Sequence, residues 1–105
     1  MQILSKKVLI DFWQRHPRAE TPLKSWYSVA KQAKWQSPQD VKDVFGTTVD
    51  FIGDNRIVFD ISGNTFRLVA RISYPYQRIM IKFVGTHDEY DEIDAETSND
   101  EYSSD

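Results

Sequence analysis

Cysteine is absent from the 105-residue sequence, which excludes a disulfide framework and a thiolate metal site. The two histidines, His16 and His87, lie far apart in the chain, and the carboxylates show no metal-ligand spacing. There is no glycine-rich phosphate loop and no nucleophile elbow. The N-terminal apolar run is interrupted by Lys6, Lys7 and Asp11, so it lacks the layout of a signal peptide and cannot span a bilayer. We therefore expect a cytoplasmic protein with no membrane contact, no metal and no cofactor.

The composition is sufficient for one packed domain. The length predicts a single domain, and the 40% of apolar residues, including 13% aromatic, can supply its core. The net charge of −3 is unevenly distributed: residues 1–87 hold all 13 Lys and Arg but only seven of the 16 acids, a net of +6, whereas residues 95–105 carry −4 and no cation. A basic body suits a polyanionic partner, although ordinary variation over a solvated surface also explains it. We predict a domain over residues 1–94 and an acidic disordered tail over residues 95–105.

The first half of the chain has the spacing of helices. Ser5, as a cap, and the apolar stripe after it predict a first helix over residues 6–15. A cap followed by proline, Thr21-Pro22, predicts a second helix to about residue 35. The same signal at Ser37-Pro38 predicts a short third helix over residues 39–44.

The second half changes to the period of strands. Alternating apolar residues predict four strands joined by short turns, over residues 49–51, 56–61, 66–72 and 78–83. Such a pattern is typical of an antiparallel meander with one buried face, which the helices would cover. Thr86 and Glu89 have the spacing of a capping box for a short C-terminal helix. The predicted fold class is therefore α+β.

The exposed face of the last two strands is predicted to be cationic. Because side chains alternate along a strand, Ile79, Ile81 and Phe83 should face the core. The same rule turns four cations outward: Arg67, Arg71, Arg78 and Lys82. No acid occurs between Asp60 and Asp88, so these cations lack obvious partners on their own strands. Arginine forks suit phosphate oxygens, but from the strands alone the polar face of any antiparallel sheet is the simpler explanation.

Acid–base groups follow directly after the cationic strands. His87 is predicted at the first position of the last helix, where backbone N–H groups favour phosphate and where imidazole can act as acid or base. Tyr90 and Asp91 follow three and four residues later on the same helix face. A base, an acid and positive charge are what RNA cleavage by its own 2′-hydroxyl needs. A helix-start histidine bonded to a carboxylate explains the spacing equally well. His16, which precedes Pro17 at a helix end, is interpreted as structural.

The remaining aromatic residues have simpler interpretations. Trp13, Trp26 and Trp35 fall on or near apolar helix faces and are predicted to belong to the core. Tyr74 and Tyr76 flank a proline in the turn before the last strand. These two tyrosines either pack the turn or stack on RNA.

Three segments carry a resemblance to a known family: Gly63-Asn64-Thr65-Phe66-Arg67-Leu68, Ile81-Lys82-Phe83-Val84-Gly85-Thr86-His87 and Glu89-Tyr90-Asp91. They resemble the HigB-type toxins of bacterial type II toxin–antitoxin systems, in the RelE-like superfamily. The resemblance is close over residues 63–94 and loose over residues 3–94. The order of elements, with helices first, then the sheet, then a short helix, agrees with it. The resemblance implies a RelE-like fold for the domain over residues 1–94.

The resemblance also implies an activity and partners. It implies a ribosome-dependent mRNA endoribonuclease, or mRNA interferase, that inhibits translation. A cognate helix-turn-helix antitoxin would neutralise it, and the toxin would reach operator DNA only through that antitoxin. By position, the catalytic candidates are His87, Tyr90, Arg67 and Asp91, and the RNA-binding candidates are Arg71, Lys82 and Arg78. With no metal site expected, we predict metal-independent cleavage. The alternative is a non-catalytic module, a decayed toxin that binds RNA or the antitoxin without cutting.

Overall fold

The computed structural model describes residues 1–93. Its elements are β1 (Gln2–Leu4), α1 (Lys6–Arg15), α2 (Glu20–Gln32), α3 (Pro38–Phe45), β2 (Val49–Gly53), β3 (Arg56–Ile61), β4 (Phe66–Ser73), β5 (Arg78–Thr86) and α4 (His87–Asp91). The acidic tail predicted over residues 95–105 lies outside the described residues. None of the helices described has both the length and the apolar character needed to cross a membrane.

The strands form one five-stranded sheet in the order β1-β5-β4-β3-β2. Strands β2 to β5 pair antiparallel in sequence order, so the predicted meander is confirmed. Strand β1 adds a parallel pair with β5, with Gln2 beside Arg78 and Leu4 beside Met80. The sheet is therefore mixed. Sequence alternation missed β1 because three residues are too few to show a period of two.

Helices α1, α2 and α3 cover one face of the sheet and bury the main core against it. Leu9, Phe12, Leu23 and Trp26 from the helices are buried together with Phe59 and the other inward residues of the strands. The rings of Trp26 and Phe59 meet edge to face at 5.3 Å. The predicted α+β architecture with N-terminal helices on one face is confirmed. Burial of the apolar stripes explains why these helices form, since helices of 8 to 13 residues are marginal alone.

The helix starts agree with the sequence only in part. Ser5 occupies the N-cap position of α1 with a left-handed backbone, φ 71°, and its side chain makes no capping bond. Helix α2 begins at Glu20, two residues before Pro22, the predicted first helical residue, because Pro17 opens a 3-10 turn that leads directly into it. Pro38 is the first residue of α3, as proline at this position predicts. Thr86 and Glu89 form the predicted capping box of α4.

A one-residue bulge in β5 reverses part of the predicted alternation. Val69 of β4 pairs with Phe83, but the next residue, Ala70, pairs with Ile81, so Lys82 is the extra residue. Ile81 faces the helices, whereas Phe83 lies on the opposite face, which we call the outer face. The expectation that Phe83 faces the main core was therefore wrong. Bulges re-aim the side chains that follow them, and unbroken alternation cannot reveal them.

Candidate active site

Helix α4 packs across the outer face because the bulge leaves an apolar surface there. Val58, Val69 and Phe83 form a second buried cluster, separate from the main core. Tyr90 and Ile93 pack against this cluster, and the rings of Phe83 and Tyr90 lie 6.5 Å apart. The capping box fixes the start of the helix: Thr86 Oγ1 accepts a bond from the Glu89 amide at 3.2 Å, and Glu89 Oε1 accepts one from the Thr86 amide at 2.8 Å.

Gly85 provides the space that this packing needs. The ring of Phe83 folds over Gly85, so a Cβ there would lie 2.5 Å from Phe83 Cζ. The same Cβ would lie 3.1 Å from Glu89 Oε1, the atom that closes the capping box. A glycine at this position therefore allows the ring and the helix start to approach the strand together.

Arg67 lies next to Tyr90 and is held by several neighbours. Its guanidinium lies 5.4 Å from the centre of the Tyr90 ring, 2.8 Å from Asp60 Oδ1 and 2.6 Å from Asn64 Oδ1. The side chain is only 14% exposed, and its Nε has no hydrogen-bond partner among residues 1–93. Arg67 has no acid partner on its own strand, as expected, but it is not unpaired. Its partner Asp60 lies on the neighbouring strand β3, directly opposite in the register.

The surroundings of Tyr90 keep its hydroxyl protonated. Burial raises the pKa of Tyr90 above its ordinary value, and Asp50, Asp91 and Asp60 raise it further, while Arg67 lowers it. The net direction is upward. At neutral pH the hydroxyl is therefore a proton donor.

His87 is oriented by the last residue of its own helix. Its Nδ1 lies 3.0 Å from Asp91 Oδ2. Its backbone N–H donates to the carbonyl of Thr65, the residue that precedes β4, at 3.3 Å. Because the neutral ring with its proton on Nδ1 keeps the lone pair on Nε2, this contact prepares Nε2 as a base. Both side chains are accessible to solvent, at 39% and 57%. His16, in contrast, stacks on Phe12 at 4.4 Å, as a structural residue would.

One group of side chains in this region could hold a metal ion. Ligand atoms of His87, Asp88 and Asp91 all lie within 4.8 Å of one another on α4. Exposed carboxylates often cluster without binding a metal, and the three residues belong to a single helical turn and a half. The geometry fits a weak cation site, so the metal independence expected from the sequence stays a prediction.

The other predicted RNA-binding residues lie along the outer face, away from α4. Arg71 contacts Asp54 at 3.2 Å in an exposed pair, and Lys82 Nζ lies 3.0 Å from the sulfur of Met80. Arg78 lies over the ring of Tyr76 at 5.6 Å, in the turn between β4 and β5. The structure thus brings His87, Tyr90, Arg67 and Asp91 together. It leaves Arg71 and Arg78 nearer the opposite end of β4 and β5, and it places Lys82 at the middle of β5.

The sequence analysis missed the acids of this face. Asp60 pairs with Arg67, Asp54 pairs with Arg71, and Asp50 influences Tyr90. A register written from the turn at residues 62–65 would have placed Asp60 opposite Arg67. The lack of acids on the cations' own strands does not exclude such partners, because ion pairs in a sheet form across strands.

A profile of a known family matches residues 19–93 of the chain. The family is described as HigB_toxin, the RelE-like toxic component of a toxin–antitoxin system. The match covers more than two thirds of the sequence and includes the outer-face residues and α4. The chain belongs to the HigB toxin family. The resemblance drawn from the sequence is thereby confirmed.

Named relatives of this HigB-family chain are similar over nearly its whole length. The "mRNA interferase HigB" of Escherichia coli O6:H1 is 29% identical over 94 residues, which cover 89% of this chain and 91% of the relative. The "mRNA interferase toxin HigB" of Escherichia coli strain K12 is 30% identical over 92 residues, which cover 87% of this chain and 88% of the relative. The "mRNA interferase HigB" of Shigella flexneri is 30% identical over the same number of residues.

We predict that Gly85→Ala destabilises the domain and displaces α4. The added methyl would overlap the Phe83 ring, and overpacking of this kind typically costs about 1–3 kcal/mol. Chemical denaturation measures the loss. Gly63→Ala is a poor control because its backbone has φ 65°, so we choose Ser28→Ala on the exposed side of α2 instead. Equal stability of the Gly85→Ala and wild-type chains would show that the ring does not rest on Gly85.

We predict that Tyr90 ionises above the ordinary tyrosine range, whose reference pKa is 10.0. The raised pKa means that the protonated hydroxyl persists as pH rises and is lost only above that value. The absorbance difference between the wild-type and Tyr90→Phe chains during alkaline titration isolates this group from the other tyrosines. In Arg67→Ala the pKa of Tyr90 should rise further, because the one cation that lowers it is gone. Ionisation of Tyr90 at or below pH 10, with the fold intact by circular dichroism, would contradict this description.

Proposed function

We propose that this HigB-family toxin is an endoribonuclease that cuts mRNA. The observation that carries the proposal is the position of α4, which sets His87 and Tyr90 beside Arg67 on one side of the sheet. These are the three chemical parts that cleavage by the RNA's own 2′-hydroxyl requires. The names of the similar proteins, which are called mRNA interferases, support the same activity.

The geometry supports a division of roles. His87, with Nδ1 held by Asp91, takes the proton of the 2′-hydroxyl as that oxygen attacks the neighbouring phosphorus. Arg67 stabilises the negative charge that develops on the phosphorane, in a site partly shielded from water. Tyr90, whose pKa is raised, gives its proton to the departing 5′-oxygen as the P–O bond breaks. The products are a 2′,3′-cyclic phosphate and a 5′-hydroxyl, and no metal takes part.

The biological setting follows from the family. We propose that the toxin acts in the cytoplasm on messages presented by the ribosome and so inhibits translation. A cognate helix-turn-helix antitoxin would neutralise it and would connect it to operator DNA. The family is described as one component of a toxin–antitoxin system, which supports an antitoxin as partner. The resemblance to RelE-like toxins supports action on the ribosome.

A non-catalytic module is the rival function. The ion pair of Arg67 with Asp60 and the contact of His87 with Asp91 would also exist in a decayed toxin that only binds RNA or its antitoxin. Induced expression separates these functions. A nuclease stops growth and shortens messages, whereas a decayed toxin does neither.

We predict that Arg67→Ala and His87→Ala abolish growth arrest. Loss of a charge-stabilising group or of a general base typically slows such a reaction by about 100-fold or more. Matched controls exist for both. Asp60→Asn breaks the same ion pair as Arg67→Ala but keeps the guanidinium, and His16→Gln changes the histidine that stacks on Phe12.

Growth and message length after induction measure the effect, with thermal unfolding as the test of folding. Arrest should be lost in the Arg67 and His87 variants and kept in the Asp60 and His16 variants. Full arrest in the His87→Ala variant would remove the histidine from the mechanism. Arrest lost equally in Arg67→Ala and Asp60→Asn would mean that the ion pair matters for the fold rather than for phosphate.

We predict that a toxin treated with EDTA beforehand still cuts the message and leaves a 2′,3′-cyclic phosphate. Mapping of the message ends on translating ribosomes, with enough free Mg²⁺ restored to keep the ribosomes intact, measures both the cut and its chemistry. The toxin alone is treated with EDTA and dialysed first, so that any ion on His87, Asp88 and Asp91 is removed. The Asp88→Asn variant is the matched control for that group. A free 3′-hydroxyl at the cut, or loss of cleavage in the Asp88→Asn variant with its fold intact, would contradict the proposed mechanism.

A further inference from the structure

A groove lies on the outer face at the end opposite α4, beside the turn between β4 and β5. Its volume is about 360 Å³. The lining combines apolar side chains with two guanidinium groups, and the residues that matter most are Leu4, Arg71, Tyr74, Pro75, Arg78 and Met80. Such a mixture of flat apolar surface and a few polar groups is typical of sites for small planar ligands. None of the roles assigned above to His87, Tyr90 and Arg67 uses this groove.

The turn beside the groove presents an exposed aromatic ring. Tyr76 is 73% exposed, so its ring is accessible from solvent. The guanidinium of Arg78, which lines the groove, lies 5.6 Å from the centre of the Tyr76 ring. Tyr74, by contrast, packs against the main core. The sequence left two roles open for these tyrosines. Tyr74 packs the turn, whereas the ring of Tyr76 is accessible to a ligand.

Hydrogen bonds of Gln77 hold the turn that carries Tyr76. Gln77, which has a left-handed backbone with φ 54°, donates from Nε2 to the carbonyls of Trp35 at 2.6 Å and Tyr74 at 2.9 Å. Its own carbonyl accepts a bond from the amide of Gln2 at 2.8 Å. These bonds tie the turn to the helical layer and to β1. Binding to a preformed surface costs less ordering entropy than binding to a mobile loop.

The charges of the groove suit a phosphate. Within residues 1–93, Arg78 forms no ion pair with a carboxylate, and its guanidinium lies over the ring of Tyr76. Arg71 pairs with Asp54, but both side chains are about half exposed or more, at 49% and 60%. Exposed pairs of this kind contribute little free energy, so a phosphate can replace the carboxylate. An acidic ligand is therefore favoured here over a cationic one.

We propose that this groove binds one nucleotide of single-stranded RNA, with its base stacked on Tyr76 and its phosphate held by Arg78 and Arg71. The proposal rests on the proposed function, because it assigns the groove to the message that is cut under α4. Arg67 and Arg71 are four residues apart on β4, a distance of about 13 Å along a strand. The stacked base therefore belongs to a nucleotide beside the scissile phosphate rather than to the one that is cut. The site would contribute to the affinity for RNA and to its position on the sheet without taking part in the chemistry.

Binding of a short RNA with 2′-O-methyl sugars, which the chain cannot cleave, tests the proposal. The full-length wild-type, Tyr76→Ala and Tyr76→Phe chains are compared at low salt by fluorescence anisotropy. Stacking on an aromatic ring is sequence-tolerant and strong, so Tyr76→Ala should weaken binding roughly 5- to 100-fold. Tyr76→Phe keeps the ring and should bind like the wild-type chain. Because Tyr76 is so exposed, unfolding temperatures should be equal, and they serve as the check on folding.

A set of RNAs that each lack one base locates the stacked nucleotide. Removal of the base that occupies the groove should weaken the wild-type chain but should not weaken Tyr76→Ala further. Removal of any other base should weaken both chains equally. Arg78→Ala should reduce affinity at low salt, and the reduction should shrink as salt rises, because phosphate contacts are screened.

Three outcomes would overturn the proposal. The first is equal affinity of the wild-type and Tyr76→Ala chains for the intact RNA. The second is that every abasic RNA loses as much affinity for Tyr76→Ala as for the wild-type chain. The third is no saturable RNA binding by the wild-type chain. These outcomes are distinguishable from failure of the proposed function. If induced wild-type chain shortens messages while Tyr76→Ala binds and cuts as well as wild type, only the groove is wrongly assigned. If the wild-type chain shortens no message, the proposed nuclease function itself fails, whatever the groove binds.

Discussion

The bulge at Lys82 determines where the last helix can lie, and the candidate site depends on that position. Without the extra residue, β5 would keep strict alternation and Phe83 would face the main core. With it, Phe83 joins Val58 and Val69 on the outer face and gives α4 an apolar surface to bury. Tyr90 is carried onto Arg67 by the same packing. Bulges are common next to active sites for this reason, since they re-aim side chains without breaking the sheet.

The outer face has two electrostatically different ends. Under α4, Arg67 pairs with Asp60, and the pKa of Tyr90 is raised by burial and by Asp50, Asp91 and Asp60. At the turn between β4 and β5, Arg78 has an aromatic neighbour and no paired carboxylate within the described chain. A strand of RNA laid along β4 would meet proton donors and acceptors at one end and cations with a stacking surface at the other. The proposed cleavage residues and the proposed RNA-binding groove thus lie at different ends of the outer face.

The sequence predicted the regular features and missed those that depend on contacts between strands. The meander, the helical layer and the capping box at Thr86 follow from local periodicity and turn chemistry, and the structure has all three. Strand β1 was too short to show a period of two. The bulge in β5 breaks the alternation from which the face of each side chain is predicted. The catalytic candidates follow from residue types that suit the chemistry and from the family resemblance, and they stay predictions. The partner of Arg67 was not predicted, because Asp60 lies on the neighbouring strand and meets Arg67 only through the register.

Binding of RNA to the outer face beside α4 is the central claim, and nuclear magnetic resonance tests it most directly. Isotope-labelled full-length chain is titrated with a short 2′-O-methyl RNA, and backbone amide shifts are followed residue by residue. The account predicts changes at residues 64–71 in β4 and its turn, at residues 82–91 across β5 and α4, and at the β4–β5 turn. Amides of α1 and α2, on the opposite side of the sheet, should stay unchanged. Changes confined to α1, α2 and α3, with none around Arg67 and His87, would contradict it.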